Sequence, residues 1–171
     1  MEIGVTIRDA AWRAALPDAR QVTRQAALAA LALSAPPDAD ELAVVLADDA
    51  MLRALNRDYR GIDEATNVLA FAYGESEPPS ATAPGAGAAN EVLGDVVIAL
   101  ETAAAEAKKS GRGLDQHLSH LVIHGVLHLL GYDHGNDGDA ETMEEIEIRA
   151  LADIGIANPY APPSAVKNDE R

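Results

Sequence analysis

Ile3, Val5 and Ile7 alternate with polar neighbours, which predicts a short strand over residues 2–7 with one buried face. After Pro17 and Asp18 the pattern becomes an Ala/Leu-rich helical run to about Leu33, where Ser34, Pro36 and Pro37 stop it. Residues 41–47 (ELAVVLA) form a continuous apolar run of strand length. Asp48 and Asp49 are N-cap candidates for a helix over 50–60, and Gly61 is placed to end it. Residues 67–73 and 92–100 are the third and fourth strand candidates, and helices are predicted over 102–110, 114–130 and 140–154. Strands and helices mixed in this order suit an α/β or α+β domain. The expectation is α+β: a single domain over 1–157 whose roughly four-stranded mixed sheet is packed by helices. Strand order is not readable from the pattern.

Two segments lack the apolar side chains that offset the entropy of ordering, and both are expected to be mobile: the low-complexity loop 74–90 and the tail 158–171. The chain has 171 residues, with 13 Lys and Arg against 28 Asp and Glu, a formal charge of −15. That balance argues against broad non-specific binding to nucleic acid, which needs Lys and Arg to neutralise phosphates, so no DNA partner is expected. A local basic site remains compatible with it. Without cysteine, a disulfide scaffold, a Cys-based zinc ribbon and a thiol nucleophile are excluded, and any metal must be held by His and carboxylates. Neither a secretory leader nor an apolar run long enough to span a membrane is visible, so a cytoplasmic protein is expected.

All five histidines fall between positions 117 and 134. On a helix of about 100° per residue, His117, His124 and His128 lie within about 40° of one another. Leu118, Val122, Val126 and Leu129 populate the other side. Side chains four apart stand about 5–6 Å apart at Cβ, near enough for two imidazoles to share one ion, and His124 and His128 make that pair. Gly131 can end the helix in the left-handed conformation and return His134 toward the same point, giving HxxxHxxxxxH on a central helix. Isolated histidines are ordinarily satisfied by hydrogen bonds, but three at ligand spacing beside a helix-ending glycine favour a metal. Three neutral imidazoles with an open fourth position suit a catalytic Zn²⁺, one per chain. His117 and His120 fit a structural or solvated role at least as well as a place in the cleft. A zincin peptidase needs Glu after the first His as general base, and Gly125 stands there.

The run HGVLHLLGYDH, 124–134, resembles the signature of the YbeY family, the rRNA maturation factors regarded as metal-dependent endoribonucleases. LNRDYRGIDEATNVLAF (55–71), LGDVVIAL (93–100) and the helix from Met143 and Glu144 to Gly155 resemble further motifs of that family, in order, across roughly 47–155. The family's S-F-P is Ala70, Phe71 and Ala72 here, which loses a hydroxyl near the strand end. The resemblance implies that His124, His128 and His134 ligate zinc and that Arg60 is the functional arginine. It further implies a zinc-dependent, single-strand-specific endoribonuclease acting in rRNA processing, including 3′-end maturation of small-subunit rRNA, and in ribosome quality control. Its partners would be rRNA, the small subunit or ribosome-associated proteins.

The residues themselves agree with part of this. Arg53, Arg57 and Arg60 form one basic stripe, a pattern that is most often a solvated face, yet Arg60 at the helix end can grip a phosphate through two hydrogen bonds. Thr66 and Asn67 suit either a phosphate or sugar contact or the capping of a turn. Asp133 suits either orientation of a ligand or the cap of a turn. The acidic residues Asp139, Glu141, Glu144, Glu145 and Glu147 read as a solvated face. Such a face repels free RNA and favours docking onto a ribonucleoprotein or protein partner. Two other readings stand beside the nuclease: a metal-stabilised ribosome-assembly adaptor without significant catalysis, and a zinc hydrolase of another substrate such as a peptide, the latter weakened by Gly125.

Overall fold

The computed structural model describes residues 2–34, 41–72, 92–132 and 137–160. The low-complexity loop 74–90, the tail beyond 160, Asp133 and His134 lie outside them. Four strands, β1 (Glu2–Ile7), β2 (Glu41–Ala47), β3 (Val68–Ala72) and β4 (Val92–Ala99), form one sheet in the order β1-β2-β4-β3. β1, β2 and β4 run parallel, and β3 pairs antiparallel with β4 at the edge. The helices are α1 (Ala11–Ala15), α2 (Ala19–Leu33), α3 (Asp49–Arg60), α4 (Leu100–Ser110), α5 (Leu114–Leu129) and α6 (Asp137–Asp153). This is the α+β domain with a mixed four-stranded sheet that the pattern predicts. Among the described residues, no helix is long and apolar enough to cross a membrane.

Because strand side chains alternate, each strand of the sheet's centre serves two cores. Leu42, Val44 and Leu46 of β2 and Val96 and Ile98 of β4 face the larger one, with buried residues of α2, α4, α5 and α6. Val45, Ala47, Val97 and Ala99 face the other way, onto Leu69 and onto Leu52 of α3. This explains why ELAVVLA shows no alternation: both faces are buried. It also puts α3 and α5 on opposite sides of the sheet.

The ends of the elements are tied by specific groups. Asp48 caps α3 by accepting from Met51 N at 2.9 Å, and Gly61 closes it at φ 74°. The N-termini of α3 and α4 cap one another: Asp49 N donates to Glu101 Oε1 at 2.9 Å, while Thr102 N and Oγ1 donate to Asp49 Oδ1 at 3.2 and 2.7 Å. On the β1 edge, Arg20 and Arg24 of α2 donate to the carbonyls of Val5 and Ile3, which occupies acceptors that another strand could otherwise use. Trp12 is fully buried, and its indole Nε1 donates to Ala47 O at 2.8 Å.

The differences from the sequence pattern are local. Helix α1 was not expected, since five residues are too few to display a helical period. Leu100 opens α4 rather than ending β4, and α6 begins at Asp137, before the predicted 140.

Gly125 of α5 packs closely on the sheet: a Cβ there would stand 2.6 Å from Val96 Cγ1 and 3.4 Å from Val68 Cγ2. Alanine is the better helix former by about 1 kcal/mol. Val96, however, is fully buried and β-branched, so it has no free rotamer to retreat into. Overpacking of this kind costs about 1–3 kcal/mol. Gly125→Ala is therefore expected to lower the melting temperature by several degrees in thermal denaturation, whereas a rise would show that the helix can move off the sheet freely.

Candidate metal centre

Helix α5 runs across the larger core with Leu118, Val122, Val126 and Leu127 fully buried, which turns a stripe of histidines away from the sheet. Gly131, at φ 97°, ends the turn after α5, where Tyr132 N returns to Leu127 O at 3.0 Å. The left-handed reversal expected from the glycine is thus present. Gly125 faces Val96 and Val68, so the position where a peptidase carries its general base points into the core.

The Nε2 atoms of His124 and His128 stand 3.2 Å apart. Two imidazole nitrogens each about 2.0–2.1 Å from one tetrahedral ion would be separated by about 3.3 Å, so the pair fits a single Zn²⁺. The other ring nitrogen of His124, Nδ1, lies 2.7 Å from Glu147 Oε2. That bond places the proton on Nδ1 and leaves the Nε2 lone pair facing His128, the arrangement a metal-ligating histidine ordinarily has with a supporting carboxylate. Among the described residues no group of three metal-ligating side chains is assembled. The third expected ligand, His134, lies outside those residues, as does Asp133.

Glu147 was expected on a solvated face, and the structure corrects this: it is 1% exposed. Its Oε1 accepts from His120 Nε2 at 2.8 Å and from the Tyr160 hydroxyl, while Oε2 accepts from His124. Burial pushes the Glu147 carboxyl up, but the hydrogen bonds from His120, His124 and Tyr160 outweigh it and hold the group at about 2. The Tyr160 phenol is pushed well above its usual range, by burial and then by its bond to this carboxylate. It therefore keeps its proton as a donor. Glu147 is legible after the fact, because Met143, Glu147 and Ala150 recur at helical spacing and all three are buried. Read as one more acid in an acidic run, it looks like surface.

Other readings resolve structurally. His117 Nε2 lies 2.8 Å from Glu106 Oε1, and Asn67 Nδ2 donates to the same carboxylate at 3.0 Å, so both residues join α4 to the start of β3 and to α5. His120 belongs to the Glu147 network and not to solvent. The segment beginning at Asn158, expected to be mobile, is held at its start: Arg112 Nη2 donates to Asn158 O at 3.1 Å, and Tyr160 N to Asn158 Oδ1 at 2.8 Å. Its composition carries no apolar signal because polar bonds attach it.

The three arginines of α3 separate into two kinds. Arg53 is paired with Asp63 at 2.8 Å and Arg57 with Asp58 at 3.1 Å, both on the surface. Arg60, exposed at the helix end, is in no ion pair or hydrogen bond among the described residues. Beyond it the chain is fixed by the buried Asn56, whose Nδ2 donates to Glu64 O at 3.0 Å. Arg60 therefore stands at the end of α3, which packs on the face of the sheet opposite α5.

Comparison with known proteins finds relatives that match over most of the chain. The family described as Endoribonuclease YbeY matches residues 6–155. A relative from Paramagnetospirillum magneticum named Endoribonuclease YbeY is 50% identical over 161 residues, covering 94% of this chain and 96% of its own. One of the same name from Azorhizobium caulinodans is 45% identical over 166 residues, covering 96% and 99%. A third, from Rhodopseudomonas palustris, is 46% identical over 157 residues, 92% of this chain and 80% of its own. With the match spanning the sheet, the α5 histidines and α6 alike, the chain belongs to the Endoribonuclease YbeY family.

Proposed function

We propose that this protein is a zinc-dependent endoribonuclease of the cytoplasm that cuts single-stranded RNA during rRNA processing, including 3′-end maturation of small-subunit rRNA, and serves ribosome quality control. The observation that carries the metal-dependent chemistry is the 3.2 Å approach of His124 and His128 Nε2, with the His124 tautomer set by a buried carboxylate. The endoribonuclease activity rests on family membership and on the names of its relatives. His134 completes the ligand set in this reading.

A bound Zn²⁺ supplies a water of lowered pKa and a Lewis acid for a phosphoryl oxygen. The protein's own part is to hold two imidazoles at fixed separation on a helix packed into the core. Glu147 keeps the Nδ1 proton of His124 in place. Arg60, paired with no carboxylate among the described residues, is available to a phosphate and can stabilise charge that builds up during cleavage. With a net charge of −15 the surface repels free RNA, which favours the ribosomal small subunit or a ribosome-associated protein as the docking partner.

Two measurements test this reading. Metal analysis of the purified chain is expected to give about one Zn²⁺, and His124→Ala, His128→Ala and His134→Ala should each lower that content sharply, since two imidazoles rarely suffice. Full zinc occupancy in His134→Ala would remove His134 from the ligand set. Arg60→Ala is expected to keep fold and zinc while losing single-stranded RNA cleavage by about 10²-fold or more, the scale for removing one transition-state donor. Arg60→Lys, which keeps the charge without the bidentate fork, should recover only part of the activity. Cleavage unaffected by both Arg60→Ala and His128→Ala would mark a contaminating nuclease and overturn the catalytic assignment.

A further inference from the structure

Tyr160 lies beyond residues 6–155, where the family match ends, yet it contacts the centre of the site. Its hydroxyl donates to Glu147 Oε1 and lies 3.2 Å from His120 Nε2, and the two rings meet edge to face at 5.4 Å. The ring is 45% exposed, so this is not a residue placed by core packing. Polar bonds deliver it instead. Arg112, in the turn between α4 and α5, holds the Asn158 carbonyl, and the Asn158 side chain receives Tyr160 N. The segment after α6 is thereby folded back onto the helix that carries the histidines.

The buried carboxylate at the centre of this contact has two oxygens with different duties. Oε2 takes the Nδ1 proton of His124, and Oε1 is shared by His120 and Tyr160. A carboxylate anchored at one oxygen cannot rotate about its C–C axis without breaking those bonds, so the donors on Oε1 fix the direction in which Oε2 faces His124. Loss of one donor from a buried carboxylate leaves that oxygen short of a partner and weakens the restraint on the group's orientation.

We propose that Tyr160, acting through Glu147, is a positioning residue for His124, holding its imidazole in the Nδ1-protonated tautomer that turns the Nε2 lone pair toward His128. The metal consequence rests on the zinc reading above, whereas the tautomer consequence belongs to the metal-free protein. Supporting partners of metal-ligating histidines typically contribute about 10- to 100-fold in metal affinity.

The test uses the full-length chain and the conservative variants Tyr160→Phe and Glu147→Gln. Long-range ¹⁵N–¹H spectra of the histidine rings, recorded without metal, should show His124 predominantly Nδ1-protonated in the wild type. Each variant should shift it measurably toward a tautomer mixture. Competition with a chromophoric chelator should show Zn²⁺ affinity lowered about 10-fold by Tyr160→Phe and up to about 100-fold by Glu147→Gln. A wild-type tautomer in Tyr160→Phe overturns the proposal whatever its melting temperature does, because a merely structural clamp would alter stability alone. Tyr160→Phe stays decisive if Glu147→Gln fails to fold, since it removes one oxygen from a half-exposed ring. If the wild-type chain takes up no Zn²⁺, the zinc reading fails, and the spectra still decide the positioning role.

Discussion

Residue 125 brings α5 against Val96 and Val68, closer to Val96 than a Cβ could stand without a shift. The rest of the larger core is arranged around that approach. Helix α5 touches β3, β4, α2, α4 and α6, so its position sets theirs. Its histidines inherit the rigidity of a helix anchored along one whole side. A site on such an element has its backbone held by the core, and only the third expected ligand is drawn from the connection to α6.

Glu147 is the second constraint, and it is electrostatic. An ionised carboxylate removed from water is costly unless every lone pair is engaged, and here three donors, two from α5 and one from the segment after α6, converge on it. The group therefore links α5, α6 and residue 160 into one unit. It also gives direction to the site, because a hydrogen bond to one ring nitrogen decides what the other can bind. His120, one turn before His124, supports that bond and is no candidate ligand.

The elements most legible in the sequence are those with local signals. The alternation in β1, the Asp48 cap and Gly61 stop of α3, and the apolar side of α5 all follow from neighbours within one or two turns. Sheet order was not legible, since nothing within ELAVVLA states that it lies between β1 and β4. The pairing of His124 with His128 was readable from a spacing of four. Its partner Glu147 was not, because the signal lies in the buried stripe of α6 and is masked by the acids around it. Tyr160 was invisible for a related reason: composition detects segments held by apolar packing, and this one is attached by Arg112, Asn158 and a phenol hydroxyl.

In sheets with parallel strands, a phosphate is commonly received just past the carboxyl ends of neighbouring strands, on the exposed amides of the following helices. β2 and β4 are neighbouring parallel strands, and α3 and α4 begin directly after them. Yet the side chains of Asp49 and Glu101 already occupy those amides, each satisfying the other helix. The protein has filled its ready-made anion cradle with its own carboxylates. A polyanion approaching that end meets two negative charges in place of free N–H groups.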